Sequence, residues 1–223
     1  MTLFSEEGVL HVVARARAGL TRGEVFVYRL PPPPGARADV PDAMLHHWLG
    51  AILVPKATVD EVLAFVQDYD RHAGRYADVM AARTLSREGD RFRVFLKLQR
   101  SRFGVDAHYN TDHDVVYRRH DATRASSRST ATRIAELEHA GTPREREKPS
   151  DQDRDYLWRL NSYWRFQQTP DGVLVECESV SLSRGIPWGL GVIVGPFVRS
   201  VPRDSLERTL RDMRAGVEAT RQK

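Results

Sequence analysis

Proton chemistry in this sequence would be sought first at His113, which sits among apolar and hydroxyl-bearing neighbours at every-second-residue spacing. Read as a strand, Val105 to Arg118 puts Val105, Ala107, Tyr109, Thr111, His113 and Val115 on one face. An imidazole there can act as acid or base near neutral pH or polarise a ligand carbonyl, and the Tyr109 phenol is a second proton carrier. No carboxylate shares the strand face to orient His113. A buried histidine satisfied by a hydroxyl or backbone group is therefore the competing reading. The opposite face carries Asp106, His108, Asn110, Asp112 and Asp114. Same-face neighbours on a strand lie ~6.5–7 Å apart and splay, whereas metal sites draw ligands from several elements, so no metal is expected. This face is expected to be solvated, opposite Arg91 and Arg93 or Arg165.

Other chemistry-bearing residues promise less. His46 and His47 are adjacent on an early strand, so at most one points inward. Ser126-Ser127-Arg128-Ser129-Thr130 lacks the glycines and following helix of a phosphate cradle and reads as a hydroxyl-rich strand. Cys177 is the single cysteine, which excludes an intrachain disulfide framework and reads as a small buried apolar residue. Nucleophile-elbow, zinc-protease, dithiol and dinucleotide motifs are absent in the right context, and no cofactor is expected.

The elements that must position these residues follow from patterning. The chain of 223 residues, 41% apolar and 29% charged, suits one well-cored domain. Its net charge of +4 is spread among interspersed acids and bases, which gives no nucleic-acid footprint. The N-terminus lacks the basic start and apolar run of a signal peptide, so the expected location is cytoplasmic. Oligomeric state is left open.

Ser5 with Glu6 and Glu7 reads as a helix start, and Glu24 to Leu30 as a strand before the polyproline run Pro31–Pro34. Residues 1–40 are thus expected to form an arm, and 41–223 the compact domain. Thr58-Val59-Asp60-Glu61 reads as a capping box after a strand ending at Val54. Long strands follow over 79–86, 91–100, 105–118 and 124–137, then a charged loop over 139–155 and a last hairpin over 159–168 and 173–183.

The chain closes on an apolar run, Ile186 to Val198, and an amphipathic helix whose buried stripe is Leu206, Leu210, Met213 and Val217. Asp204 with Glu207 reads as its capping box, though Ser200 with Pro202 could start it earlier. Two prolines and three glycines argue against one smooth helix through the apolar run.

This order, together with Thr58–Val62, Asp68-Tyr69-Asp70 and Tyr76-Ala77-Asp78-Val79, resembles the opening of START-like, or polyketide cyclase/dehydrase-like, domains of the SRPBCC superfamily. Ile186-Pro187 and Gly195-Pro196 through Pro202 into Leu206 resemble their entry to the last helix. The resemblance covers roughly residues 44–219. It implies an α+β helix-grip fold, a curved antiparallel sheet around a long C-terminal helix, and a family that binds or cyclises lipids, sterols, quinones and polyketides.

On such a sheet the expected ligand-binding residues are Phe92, Val94 and Leu96, then Tyr109, Thr111 and His113, then Ser162, Trp164 and Phe166. Trp188, Phe197, Leu206, Leu210 and Met213 would close the space from the helix side. An apolar lining with sparse polar points is the make-up of a small-molecule site, although the same side chains could simply pack on the helix. The expected function is binding of an apolar small molecule (lipid, terpenoid, quinone or polyketide) for transport or sequestration. A cyclase or dehydratase using His113 or Tyr109, and a pure interaction module using the arm and charged loop, are the alternatives. Residues 186–198 could act as a lid, touch a membrane surface transiently, or pack under the charged loop.

Overall fold

In the computed structural model, the residues described are 19–20, 22–32, 43–102, 105–149, 157–184 and 191–222. Within them, side chains are described except at 101–102, 105–106 and 191–200. The strands are β1 (Phe26–Arg29), β2 (Ala43–Pro55), β3 (Val79–Glu88), β4 (Arg91–Arg102), β5 (Val105–Arg119), β6 (Arg124–Glu138), β7 (Arg146–Glu147), β8 (Arg159–Thr169) and β9 (Gly172–Arg184). The helices are α1 (Val59–Gln67) and α2 (Gly191–Arg221), with a short 3-10 turn at Tyr69–Arg71. Every strand pairing is antiparallel, in the order β1-β2-β9-β8-β6-β5-β4-β3, with β7 paired to the end of β6.

Local chemistry explains the boundaries. Thr58 caps α1 by accepting from the Glu61 amide at 3.2 Å, and the Glu61 carboxylate accepts from the Thr58 amide at 2.7 Å. The β3–β4 hairpin turns at Gly89, whose φ of +58° lies in the left-handed region. Gly172 has φ +141° and lies against the backbone of Val54 and Pro55, so only glycine fits the start of β9.

The structure departs from one expectation and adds detail to two others. The helix α2 starts at Gly191 and runs through Gly195, Pro196 and Pro202, so Asp204 lies within it and is not its cap. Proline costs a helix one backbone hydrogen bond and some steric freedom, which a helix anchored by a long packed stripe can absorb. Over its described part the N-terminal segment is joined to the sheet. The strand β1 pairs with β2 from Phe26↔Ala51 to Arg29↔Trp48, and Leu20 is buried against Ala51 and Leu53. The charged loop holds the two-residue strand β7, tied to β6 at Leu137↔Glu147 and Glu138↔Arg146. The expected helix after Ser5 lies outside the described residues.

The stripe Leu206, Leu210, Met213 and Val217 is buried on the sheet. Close approach occurs at Gly50 of β2, where a Cβ would lie 2.6 Å from Leu210 Cδ1 and 3.0 Å from Leu206 Cγ. The solid core gathers at one end of the sheet, where Ile52, Val54, Phe166, Val173 and Val175 meet α1 and the stripe from Leu210 to Val217.

Candidate ligand cavity

Side-chain size along β9 changes the interior from filled to hollow. Its inward face reads Val173, Val175, Cys177, Ser179, Ser181, Ser183. The partner β8 reads Phe166, Trp164, Ser162, Leu160 in the matching direction, with Phe166 opposite Val175 and Ser162 opposite Ser179. Small serines cannot reach the helix across the space that valine and phenylalanine fill, so a cavity of about 300 Å³ opens at the serine end. The helix residues Val201, Pro202, Ser205, Leu206 and Thr209 form its other wall. Three serines, Ser129, Ser162 and Ser179, stand directly opposite one another on β6, β8 and β9 and cross the floor as a row.

Of the residues expected at the site, Leu96, Tyr109, His113, Ser162, Trp164, Phe166 and Leu206 border this cavity. Phe92, Val94, Leu210 and Met213 do not. They are packed in the solid core, because their positions face the end where large side chains interdigitate. Thr111 is fully buried behind the cavity wall, its hydroxyl donating to the Leu96 carbonyl at 2.9 Å. Trp188 lies outside the described residues, as does the Phe197 side chain, so the lid and membrane-contact readings of 186–198 fall there too.

His113 is held from both sides. The Thr111 proton goes to Leu96, so the Thr111 oxygen accepts from His113 Nε2–H at 3.0 Å, and His113 Nδ1 accepts from the Ser129 hydroxyl at 3.2 Å. Burial lowers its pKa from 6.5 to about 4, and the ring is neutral at physiological pH. His46 also borders the cavity, 2.9 Å from the Ser183 hydroxyl, and burial followed by the Arg29 charge lowers its pKa to about 4. His47 faces the other side of the sheet and bonds Glu178 at 2.6 Å and the Pro31 carbonyl at 2.8 Å. Only one of the two histidines thus points inward.

The acidic face of β5 lies outside the cavity. There Arg93 approaches Asp114 at 4.0 Å, and Asn110 donates to Glu147 of β7. Among the described residues no cluster of three His, Cys, Asp or Glu side chains is placed to hold a metal. Cys177 is buried, and burial pushes its thiol pKa well up, which keeps it protonated and inert.

Several lining groups were missed by patterning alone. The Tyr69 hydroxyl donates to the Tyr117 hydroxyl at 2.7 Å, and Tyr117 and His72 both donate to the Val66 carbonyl. Tyr76, Ser127, Ser179 and Ser181 present hydroxyls at the cavity that bond no other described side chain. Asp78 and Arg100 form a charged pole beside Ser205. Arg100 was legible in principle, because it continues the inward series Leu96, Leu98, Arg100 on β4. Asp78 closes the Tyr76-Ala77-Asp78 turn, whose side-chain directions no strand period sets.

No family model and no curated protein matches the sequence. Solved structures do match in shape. A STAR-related lipid transfer protein from Xanthomonas axonopodis superposes with TM-score 0.54 at 17% identity, over 82% of this chain and 97% of that one. Human STARD10 matches with TM-score 0.52 at 10% identity, over 86% and 69%. The two-domain aromatase/cyclase StfQ of steffimycin biosynthesis matches with TM-score 0.52 at 13% identity, over 81% and 53%. The chain has the START-like helix-grip fold. Among the described residues no helix is long and apolar enough to cross a membrane.

Proposed function

We propose that this protein binds an apolar small molecule, such as a lipid, terpenoid, quinone or polyketide, in the cavity between the sheet and α2, for transport or sequestration. The observation that carries the reading is the hollow itself. About 300 Å³ opens beside the buried core, and its wall combines Leu96, Trp164, Phe166 and Leu206 with a few hydroxyls. Each ~100 Å² of apolar guest surface removed from water would contribute ~2.5 kcal/mol. The hydroxyls of Tyr76, Ser179 and Ser181 would fix the orientation of a guest bearing oxygen atoms.

The enzymatic alternative, a cyclase or dehydratase, needs a proton carrier with a free lone pair or an available proton at the cavity. His113 has both ring nitrogens engaged by hydroxyls and no carboxylate partner, which favours a wall residue over a general acid or base. Native mass spectrometry of the purified protein tests the binding reading. A co-purifying apolar molecule that is released on denaturation is the expected result. A protein of bare chain mass that also takes up no apolar dye would refute it.

A further inference from the structure

The charged pole at one end of the cavity has an unbalanced composition. Asp78 Oδ2 lies 3.2 Å from Arg100 Nη1 and accepts from the Ser205 hydroxyl at 2.8 Å. Arg208 forks onto the same carboxylate, Nε to Oδ1 at 3.1 Å and Nη2 to Oδ2 at 3.2 Å. Two guanidinium charges against one carboxylate leave a net +1. Asp212 accepts from the Ala77 amide at 2.8 Å, and no ion pair joins it to either arginine among the described residues.

The two arginines are placed differently. Arg208 is 43% exposed, so water screens it, whereas Arg100 is 23% exposed and borders the cavity. Its cross-strand neighbour on β5 is Ala107, a side chain small enough to leave the guanidinium room to face inward. The same Nη1 donates to the carbonyl of Gln99 at 2.8 Å, and among the described residues Arg100 Nε and Nη2 make no hydrogen bond. A buried cation is costly unless it is paired and hydrogen-bonded, and here Asp78 is shared between Arg100 and Arg208.

We infer that the guest of this cavity is an anionic amphiphile, its carboxylate, sulfonate or phosphate seated at Arg100 and its apolar body lying toward Trp164 and Phe166. This rests on the binding reading above and adds the chemical class of the ligand. A planar guanidinium with unspent donors at the edge of an apolar hollow matches an anionic oxygen pair, and the low local dielectric strengthens the contact.

The test uses two fluorescent probes with the same ring skeleton, anilinonaphthalene sulfonate and N-phenylnaphthylamine, which differ by the sulfonate. Both are titrated into wild type, Arg100→Met and Arg100→Lys, each shown to be folded by circular dichroism and a cooperative melt. The expected result is that Arg100→Met weakens the sulfonate about tenfold, the scale of one charge-assisted hydrogen bond, and shifts the uncharged probe less than about twofold. Arg100→Lys should restore part of the sulfonate affinity, because it keeps the charge and loses the fork. Equal changes for both probes, or none for the sulfonate, would overturn the anionic pole while leaving the cavity reading intact. Failure of both probes to bind wild type would refute the cavity reading and this inference together.

Discussion

Replacing Gly50 by alanine should destabilise the protein, and the sign of that effect tests how the sheet grips its helix. Glycine inside a strand normally costs ~0.5–1 kcal/mol relative to alanine, so an unobstructed Gly50→Ala would be stabilising. Here the added Cβ would sit 2.6 Å from Leu210 Cδ1 and 3.1 Å from Leu206 Cδ2. Carbon atoms pack best at about 3.5–4.0 Å, so α2 must retreat by about 1 Å or its leucines must leave their rotamers. Overpacking of this kind costs ~1–3 kcal/mol, which outweighs the propensity gain. Leu210 is fully buried, and Leu210→Ala alone should cost ~2–5 kcal/mol through the void it leaves. In the double variant the new methyl enters that void, so the two losses should fall short of additive by ~1 kcal/mol or more. Urea unfolding of the four proteins gives each term, and a net loss of ~1 kcal/mol should lower Tm by ~2–4 °C for a chain of this size. A stabilised Gly50→Ala, or strict additivity in the cycle, would show that α2 is not seated on β2 at this point.

Further outcomes follow from the same contacts. His46, His72 and His113 each have a pKa lowered from 6.5 to about 4, with burial the largest cause in every case. Their stabilising effect is full above the unfolded value and is lost as pH falls from 6.5 toward 4, amounting to up to ~2 kcal/mol for each at pH 5. For His47, burial acts to lower the pKa, and the bonds to Glu178 and Pro31 outweigh it and raise the pKa, so His47 offsets part of that loss. Urea titrations at several pH values should show stability falling on acidification, with a shallower fall in His113→Gln; a pH-independent midpoint would contradict the burial of these rings. Ser179→Phe should fill the cavity and abolish uptake of an uncharged apolar dye while holding the unfolding free energy within ~1–2 kcal/mol, read by fluorescence titration and urea unfolding. Thr58→Ala should remove the α1 cap and cost ~1 kcal/mol in urea unfolding with dye binding unchanged.

Much of the architecture could be read from the sequence because its signals are local. Alternation in Arg91–Arg100 and Val105–Arg118, the Thr58–Glu61 box and the Leu206–Val217 stripe each depend on spacing within one element, and the structure realises all of them. The two-residue alternation that placed Tyr109, His113, Ser162 and Trp164 on the concave face is likewise a property of one strand at a time. The start of α2 misled because prolines and glycines describe local cost, and tertiary anchoring can absorb that cost.

Which inward residues line a space and which fill one was decided only by the fold. Phe92 and Val94 share a face with Leu96, yet the first two meet other large side chains and the third meets a hollow. That difference arises where Val175 and Phe166 give way to Ser179 and Ser162, two strands brought into register across the sheet. The Asp78–Arg100–Arg208 pole joins residues from a turn, a strand end and a helix. Periodicity reports the direction in which a side chain leaves its own backbone. The distance to whatever stands opposite depends on elements far away in the chain, and that distance separates a core from a binding site.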